Sequence, residues 1–366
     1  MNIERYNKSQ YKGSIQEMFQ IAENLRKDPK NPVDVSFADV VKENKNITYG
    51  EFLYDLGIDQ NSDTIQNLFQ MPDSDVRWLV PEIIRQALVL GYRSAPIYPN
   101  IIISEETTTG LEQIMPHLNM SDAAPRRVGI GETIPLGNLS YGQKKFRIYK
   151  VGRGIQIPYE ISEYASLNVV SIFLKDFGIK MGHAMDVLAI DTLINGEQAD
   201  GSESAPVVGT TTGTSATYQD LLRVWIRMSR IGRLPNTIIG GEAAALSTLN
   251  LDEFKKVAGG TQLANINLKT PVPTSTNYFV HGNVPSNQQI ILDPMSALIK
   301  FNAKPLMVES ERIVSNQTES FYASTTTGFA KAFRDSAVIM DQSLTFSGHG
   351  FPSYMDVDSA QNVVIE

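Results

Sequence analysis

The chain has 366 residues, 42% of them apolar and 20% charged, with 40 acidic side chains against 32 basic ones and a net charge of -8. That balance belongs to globular proteins with a core to bury, and the acidity excludes a chain whose work is to grip a nucleic-acid backbone through a broad basic field. Cysteine is absent, which excludes disulfides, thiolate zinc sites and cysteine nucleophiles.

In chain order, the N-terminus MNIERYNKSQYKGS is polar and lacks the apolar core of a signal peptide. No stretch approaches the ~18 consecutive apolar residues of a membrane span. Residues 1–99 read as an N-terminal arm carrying helices. SIQEMFQIAENLRKD (14–28) places Ile15, Met18, Phe19, Ile21 and Leu25 near one face, and DVRWLVPEIIRQALVLGY (75–92) is a second helical stretch, interrupted by Pro81. Long polar termini are ordered only where something holds them. A neighbouring chain is therefore expected to hold the arm, and the arm is expected to be retained, at close to the full 40.5 kDa.

Residues 126–158 predict a long antiparallel hairpin. RRVGIGETIPLG and QKKFRIYKVGRGIQIP are extended runs, with Phe146, Ile148, Ile155 and Ile157 alternating with polar positions, and LGNLSYGQ between them reads as the turn. The glycines invite comparison with phosphate loops, and the comparison fails. GRGIQI lacks a third glycine and is followed by strand residues instead of a helix; GIGETI runs into Pro135; GNLSYGQKK has no Ser or Thr after its lysine. In a strand such glycines mark bulges or close backbone approach.

The longest helical signal follows, predicted to start at Ser162 and to run to about residue 194. Its apolar stripe is Ile161, Ala165, Val169, Ile172, Phe173, Phe177, Met181, Met185 and Leu188, with Gly178 and Gly182 as points of kinking. ADGSESAPVVGTTTGTSA (199–216) is a loop. TYQD at Thr217 has the form of a capping box ahead of a helix, LPNTIIGG and NQQIILDP read as buried strands, and EAAALSTL as a short helix. Two long strands joined at SNQT and a closing strand SAVIMD complete an α+β topology.

No catalytic constellation emerges. His117, His183, His281 and His349 are scattered, and none belongs to a paired metal motif; His183 reads as an ordinary partly buried histidine on the long helix. No catalytic residue, cofactor or metal ligand is expected. One charge pattern stands out. Arg126, Arg127, Lys144, Lys145, Arg147 and Arg153 fall on the one projecting hairpin of an acidic chain, which suits it to lie across another copy of the same protein.

The order of segments resembles the major capsid proteins of tailed bacteriophages, with the Hong Kong 97 phage fold. The resemblance rests on a helical arm, the hairpin RRVGIGETIPLGNLSYGQKKFRIYKVGRGIQIPYEI, a long helix ending near LINGE, then TYQDLLRVWIRM, LPNTIIGGEAAALSTL, QQIILDP, MVESERIVSNQTESFYASTTTGFAKAF and SAVIMD. It implies an arm at 1–99 and an E-loop at 126–153. It also implies a peripheral domain with a spine helix built from 100–125, 154–212 and 305–345, an axial domain at 213–304 and a C-terminal tail at 346–366. It further implies hexamers and pentamers in an icosahedral virion shell, assembled in the host cytoplasm around double-stranded DNA that is not bound sequence-specifically. Scaffolding, portal and decoration proteins would be further partners, with no membrane. Asn316, at the SNQT turn, would lie near three-fold contacts. Some members of this family join an E-loop lysine to an asparagine of a neighbour beside a glutamate. Lys144, Lys145 and Asn316 are candidate pieces here, but FYASTTTGFA places hydroxyls where the acid is wanted and Glu319 sits near the turn, so a non-covalent shell is expected. An encapsulin-type nanocompartment shell is the alternative, and a nucleotide-dependent enzyme a distant third.

Overall fold

The computed structural model describes residues 15–27, 36–55, 58–65, 79–94, 97–118, 128–131, 133–134, 139–197, 204–252 and 277–355. Among the described residues four helices come first: α1 (Ile15–Lys27), α2 (Phe37–Lys45), α3 (Tyr49–Asp55) and α4 (Leu79–Ser94). Pro81 falls in the first turn of α4, where the missing N–H costs no helical bond, so it starts the helix instead of interrupting it. Strands β1 (Ile102–Thr107), β2 (Glu112–Leu118), β3 (Leu139–Arg147) and β4 (Tyr149–Pro158) follow, then a short α5 (Tyr159–Tyr164) and the long α6 (Leu167–Asn195). The remainder runs β5 (Val207–Thr210), α7 (Tyr218–Arg230), β6 (Thr237–Gly240), α8 (Glu242–Leu249), β7 (Asn277–Val280), β8 (Gln288–Leu292), β9 (Leu298–Ile313), β10 (Thr318–Lys331) and β11 (Ala337–Thr345).

The strands form two main sheets. One has the order β1-β9-β10-β4, with β9 and β10 joined through Val314–Gln317 as SNQT foretells; Gln317 takes the left-handed conformation at φ 49° that closes the turn. The other has the order β5-β11-β8-β6-β7. Its apolar runs are buried on both faces. Ile239, Ile290, Leu292, Ala337 and Ile339 face the large core, while Val208, Ile238, Ile291, Val338 and Met340 face a second core under α7. The strand at 337–345 thus pairs with β5 and β8 and not with the β9–β10 sheet, where the sequence reading placed it. The segment after it contributes Phe346, Phe351 and Met355 to the second core.

The large core corrects the expectation of an arm held by a neighbour. Met18, Ile21, Leu25, Phe37, Val41, Phe52 and Leu53 are buried within their own chain, in one cluster with Leu88 and Tyr92 of α4 and Phe177 and Met185 of α6. The reason is geometric: α1 and α3 pack on α2, α2 packs on α4, and α4 lies along α6. The segment 58–65 also caps the long helix. The N–H groups of Leu167 and Asn168 donate to the carbonyls of Asp63 (2.9 Å) and Gln60 (3.0 Å), satisfying donors that Ser166, the actual N-cap, leaves without a side-chain bond. A break at Ala165–Ser166 therefore moves the start of the long helix past Ser162.

Gly178 and Gly182 lie inside an unbroken α6 and are buried against neighbouring elements. In β4, a Cβ on Gly154 would meet the Tyr322 ring at 2.7 Å and one on Gly152 the Ser324 Cβ at 2.8 Å. The Gly-x-Gly pair makes room for cross-strand side chains.

Candidate assembly surfaces

The hairpin of the sequence reading forms with a different partner. β3 pairs antiparallel with β2, from Glu112↔Arg147 to Leu118↔Leu139, in a sheet that has two strands among the described residues. The expected first strand is turn or irregular where it is described (128–131, 133–134), and the expected turn LGNLSYGQ overlaps β3. The expected second strand splits at Ile148, so that 149–158 becomes β4 of the four-stranded sheet. Alternation alone could not reveal this, because period two looks the same whichever strand is the partner.

Among the described residues, the ribbon is anchored at its root. Phe146 and Ile148 are buried with Ala330, and the Phe146 and Phe301 ring centroids lie 4.6 Å apart. The Ile148 N–H donates to the Leu111 carbonyl at 2.9 Å. Leu111 is exposed at the root, and Ile130 and Ile134, in the connection beyond the Leu118–Leu139 end of the ribbon, are exposed as well, Ile130 completely. A two-stranded ribbon is marginal by itself in water and needs a further surface to rest on.

Three of the candidate basic residues, Lys144, Lys145 and Arg147, lie on the ribbon strand β3. Lys145 and Arg147 are exposed on β3, and Arg147 Nε stands 3.8 Å from Glu112 Oε1 in an exposed pair worth little. Arg153 is exposed on β4 opposite Ala323. Lys144 occupies β3 opposite Met115. Arg126 and Arg127 lie outside the described residues. Asn316 is exposed in the β9–β10 turn. That turn is at the Pro158 end of the β4–β10 ladder, whereas the ribbon leaves from the Tyr149 end, a separation of about 30 Å for ten residues of strand. The basic ribbon and Asn316 are therefore at opposite ends of one sheet.

A second exposed feature departs from the sequence reading. On α6 the buried face is Leu167, Val170, Leu174, Phe177, Met181, Met185, Ala189 and Leu193. The predicted stripe is followed only from Phe177 onward; Val169, Ile172 and Phe173 face outward, together with Ile161 and Tyr164 of α5. The helix is apolar nearly all round in its first half, so periodicity could not choose the face.

The structure also brings together residues that are far apart in sequence. His183 and Asp186 are one turn apart on α6, and His281 follows β7; one donor atom from each lies within 4.8 Å of the others. Asp186 Oδ1 accepts from the N–H groups of Ile97 (2.6 Å) and Tyr98 (2.8 Å), and its side chain is wholly buried. Oδ2 has no hydrogen-bond partner among the described residues and stands 3.7 Å from His183 Nδ1. Burial pushes the Asp186 carboxyl above its ordinary value, against the pull of those two amides and of His183. Burial, then the nearby His183, pushes His281 down. Reading His183 as an ordinary partly buried histidine misses this grouping, which no local spacing encodes; its side chain is half-exposed.

No family model matches the sequence, and no curated protein matches it. Solved structures do share its architecture. A virus-like particle protein from Pyrococcus furiosus is 12% identical, covering 71% of this chain and 98% of its own, with a TM-score of 0.50. A chain from Microbacterium phage Oxtober96 is 10% identical, covering 68% of this chain and 91% of its own, with a TM-score of 0.51. This is the Hong Kong 97 capsid fold. In this chain α6 lies over the β9–β10 sheet, and residues of both main sheets share the large core.

Proposed function

We propose that the chain is the major capsid protein of a tailed phage, assembling as hexamers and pentamers into an icosahedral shell around double-stranded DNA. The observation that carries this reading is the β2–β3 ribbon. It is a two-stranded projection, anchored at its root and ending in exposed Ile130 and Ile134, for which the described part of the chain offers no cover. Its exposed Lys145 and Arg147 suit the surface of another acidic copy. The capsid fold supports the same conclusion. In this reading the ribbon with its tip is the E-loop, the four-stranded sheet with α6 is the peripheral domain, and the five-stranded sheet with α7 and α8 is the axial domain.

The role is structural and not catalytic, exercised in the virion after assembly in the host cytoplasm, with scaffolding, portal and decoration proteins as further partners. A net charge of -8 suits a wall that packaged DNA slides past without sticking. The similarity to a virus-like particle of Pyrococcus furiosus favours one second reading, an encapsulin-type shell that holds protein cargo. Nuclease-protected double-stranded DNA inside purified native particles supports the phage shell; particles holding protein and no DNA support the nanocompartment.

A further inference from the structure

We propose that His183, Asp186 and His281 form a binding site for a divalent transition-metal ion of the zinc class, which fastens the long helix α6 to the loop leaving the five-stranded sheet. Two imidazoles and one carboxylate are a donor set that such ions accept, with a fourth position left for water. The three donors already lie within 4.8 Å of one another, and the His183–Asp186 pair at 3.7 Å is close to the roughly 3.4 Å that tetrahedral bonds of about 2.1 Å require.

The second observation is Asp186 itself. A carboxylate oxygen with no hydrogen-bond partner, on a side chain with no solvent exposure, is costly unless something cationic meets it. Its other oxygen is fixed by the Ile97 and Tyr98 amides, so Oδ2 is aimed into the cluster by backbone donors of the kind that orient metal ligands. His183 is half-exposed on the helix surface and can swing toward the ion without disturbing the core. His281 is placed by its loop: its Nδ1 accepts from the Asn283 N–H at 3.1 Å, and the Asn283 side-chain amide donates to the Val187 carbonyl at 3.3 Å. Coordination replaces that Nδ1 contact, with Nδ1 either holding the ion directly or carrying the ring proton while Nε2 holds it. The ion then ties three segments: the stretch before β1 through Asp186, α6 through His183, and the loop after β7 through His281. The proposal does not depend on the shell reading.

The test uses full-length protein stripped with a chelator, dialysed, and titrated with Zn²⁺ and separately with Co²⁺. Wild type is compared with His183→Ala, His281→Ala and Asp186→Asn. The expected result is one ion per chain, visible Co²⁺ absorption bands, an unfolding midpoint raised by several degrees in Zn²⁺, and a loss of at least tenfold in affinity in each variant. His183 is half-exposed, so His183→Ala keeps the fold and decides the matter even where His281→Ala does not. A wild type that takes up no Zn²⁺, or a His183→Ala protein that binds it as tightly as wild type, overturns the proposal.

Discussion

Gly91 of α4 and Gly178 of α6 meet where the two helices cross: a Cβ on Gly91 would stand 2.0 Å from the Lys175 carbonyl oxygen, and one on Gly178 would stand 2.2 Å from the Leu88 carbonyl oxygen. Backbone meets backbone at this crossing, and no flexible side chain is available to yield. The contact fixes the N-terminal helices onto the long helix. Gly178→Ala is therefore expected to destabilise the subunit by about 3 kcal/mol or more, as overpacking of a rigid contact does. Gly50 supplies the control. It lies in α3, where an added methyl group would meet nothing within 4 Å, and Gly50→Ala should stabilise by about 0.5–1 kcal/mol. Chemical denaturation of both variants checks the pair.

The capping box of α7 has a definite pH signature. Asp220 Oδ2 accepts from the Thr217 N–H (3.1 Å) and hydroxyl (2.7 Å), and Oδ1 from the Thr211 N–H (3.1 Å) and Arg223 (3.1 Å). Burial alone would raise its pKa, but the hydrogen bonds from Thr211 and Thr217 outweigh burial and hold the carboxyl below its ordinary value. The stabilisation is thus complete above the unfolded-state Asp value of about 3.9 and is lost as pH falls through the lower folded value. Asp220→Ala should cost about 2 kcal/mol at pH 7. The gap to wild type should close as pH drops below about 4, which equilibrium unfolding at a series of pH values measures.

The features that local chemistry encodes were legible in the sequence. T-x-x-D at Thr217 formed the box it advertises, TIIG became a fully buried strand, and SNQT turned the β9–β10 hairpin. Long-range choices were not legible. The partner of β3 is a strand well upstream, and the buried face of α6 could not be chosen while apolar residues surround its first half. Met18 and Phe37 carry no mark saying whether their own chain or a neighbour will cover them. The candidate contact residues divide in the same way: exposure of Lys145, Arg147 and Arg153 follows from their charge, but the meeting of His183, Asp186 and His281 depends on the whole fold.

The exposed apolar residues separate assembly from folding. Ile130→Asp with Ile134→Asp at the ribbon tip, or Ile172→Ser with Phe173→Ser on α6, removes side chains that are exposed in the subunit. Each pair should leave subunit stability within about 0.5 kcal/mol of wild type, while particle yield falls at least tenfold. Sedimentation beside a thermal melt of the unassembled subunit reads both quantities.

Covalent joining is not expected. Lys145 is exposed on the ribbon, Asn316 is exposed at the far end of the sheet, and Glu319 sits at the second position of β10 beside the turn. A lysine attacks an amide only beside a group that takes up its proton, and the β10 strand after the turn carries the hydroxyls Ser324, Thr325, Thr326 and Thr327 where such an acid is wanted. Mature particles boiled in detergent should run as a single monomer band near 40.5 kDa; a ladder of oligomers would show the opposite.

We propose that copies of this chain close into a shell by resting the β2–β3 ribbon of one on its neighbour. Cryo-electron microscopy of the purified full-length protein tests it most directly. Closed icosahedral particles of pentamers and hexamers are expected, with density for each ribbon lying across an adjacent subunit. A uniform population of monomers or dimers, or particles whose ribbons fold back on their own subunit, would contradict it.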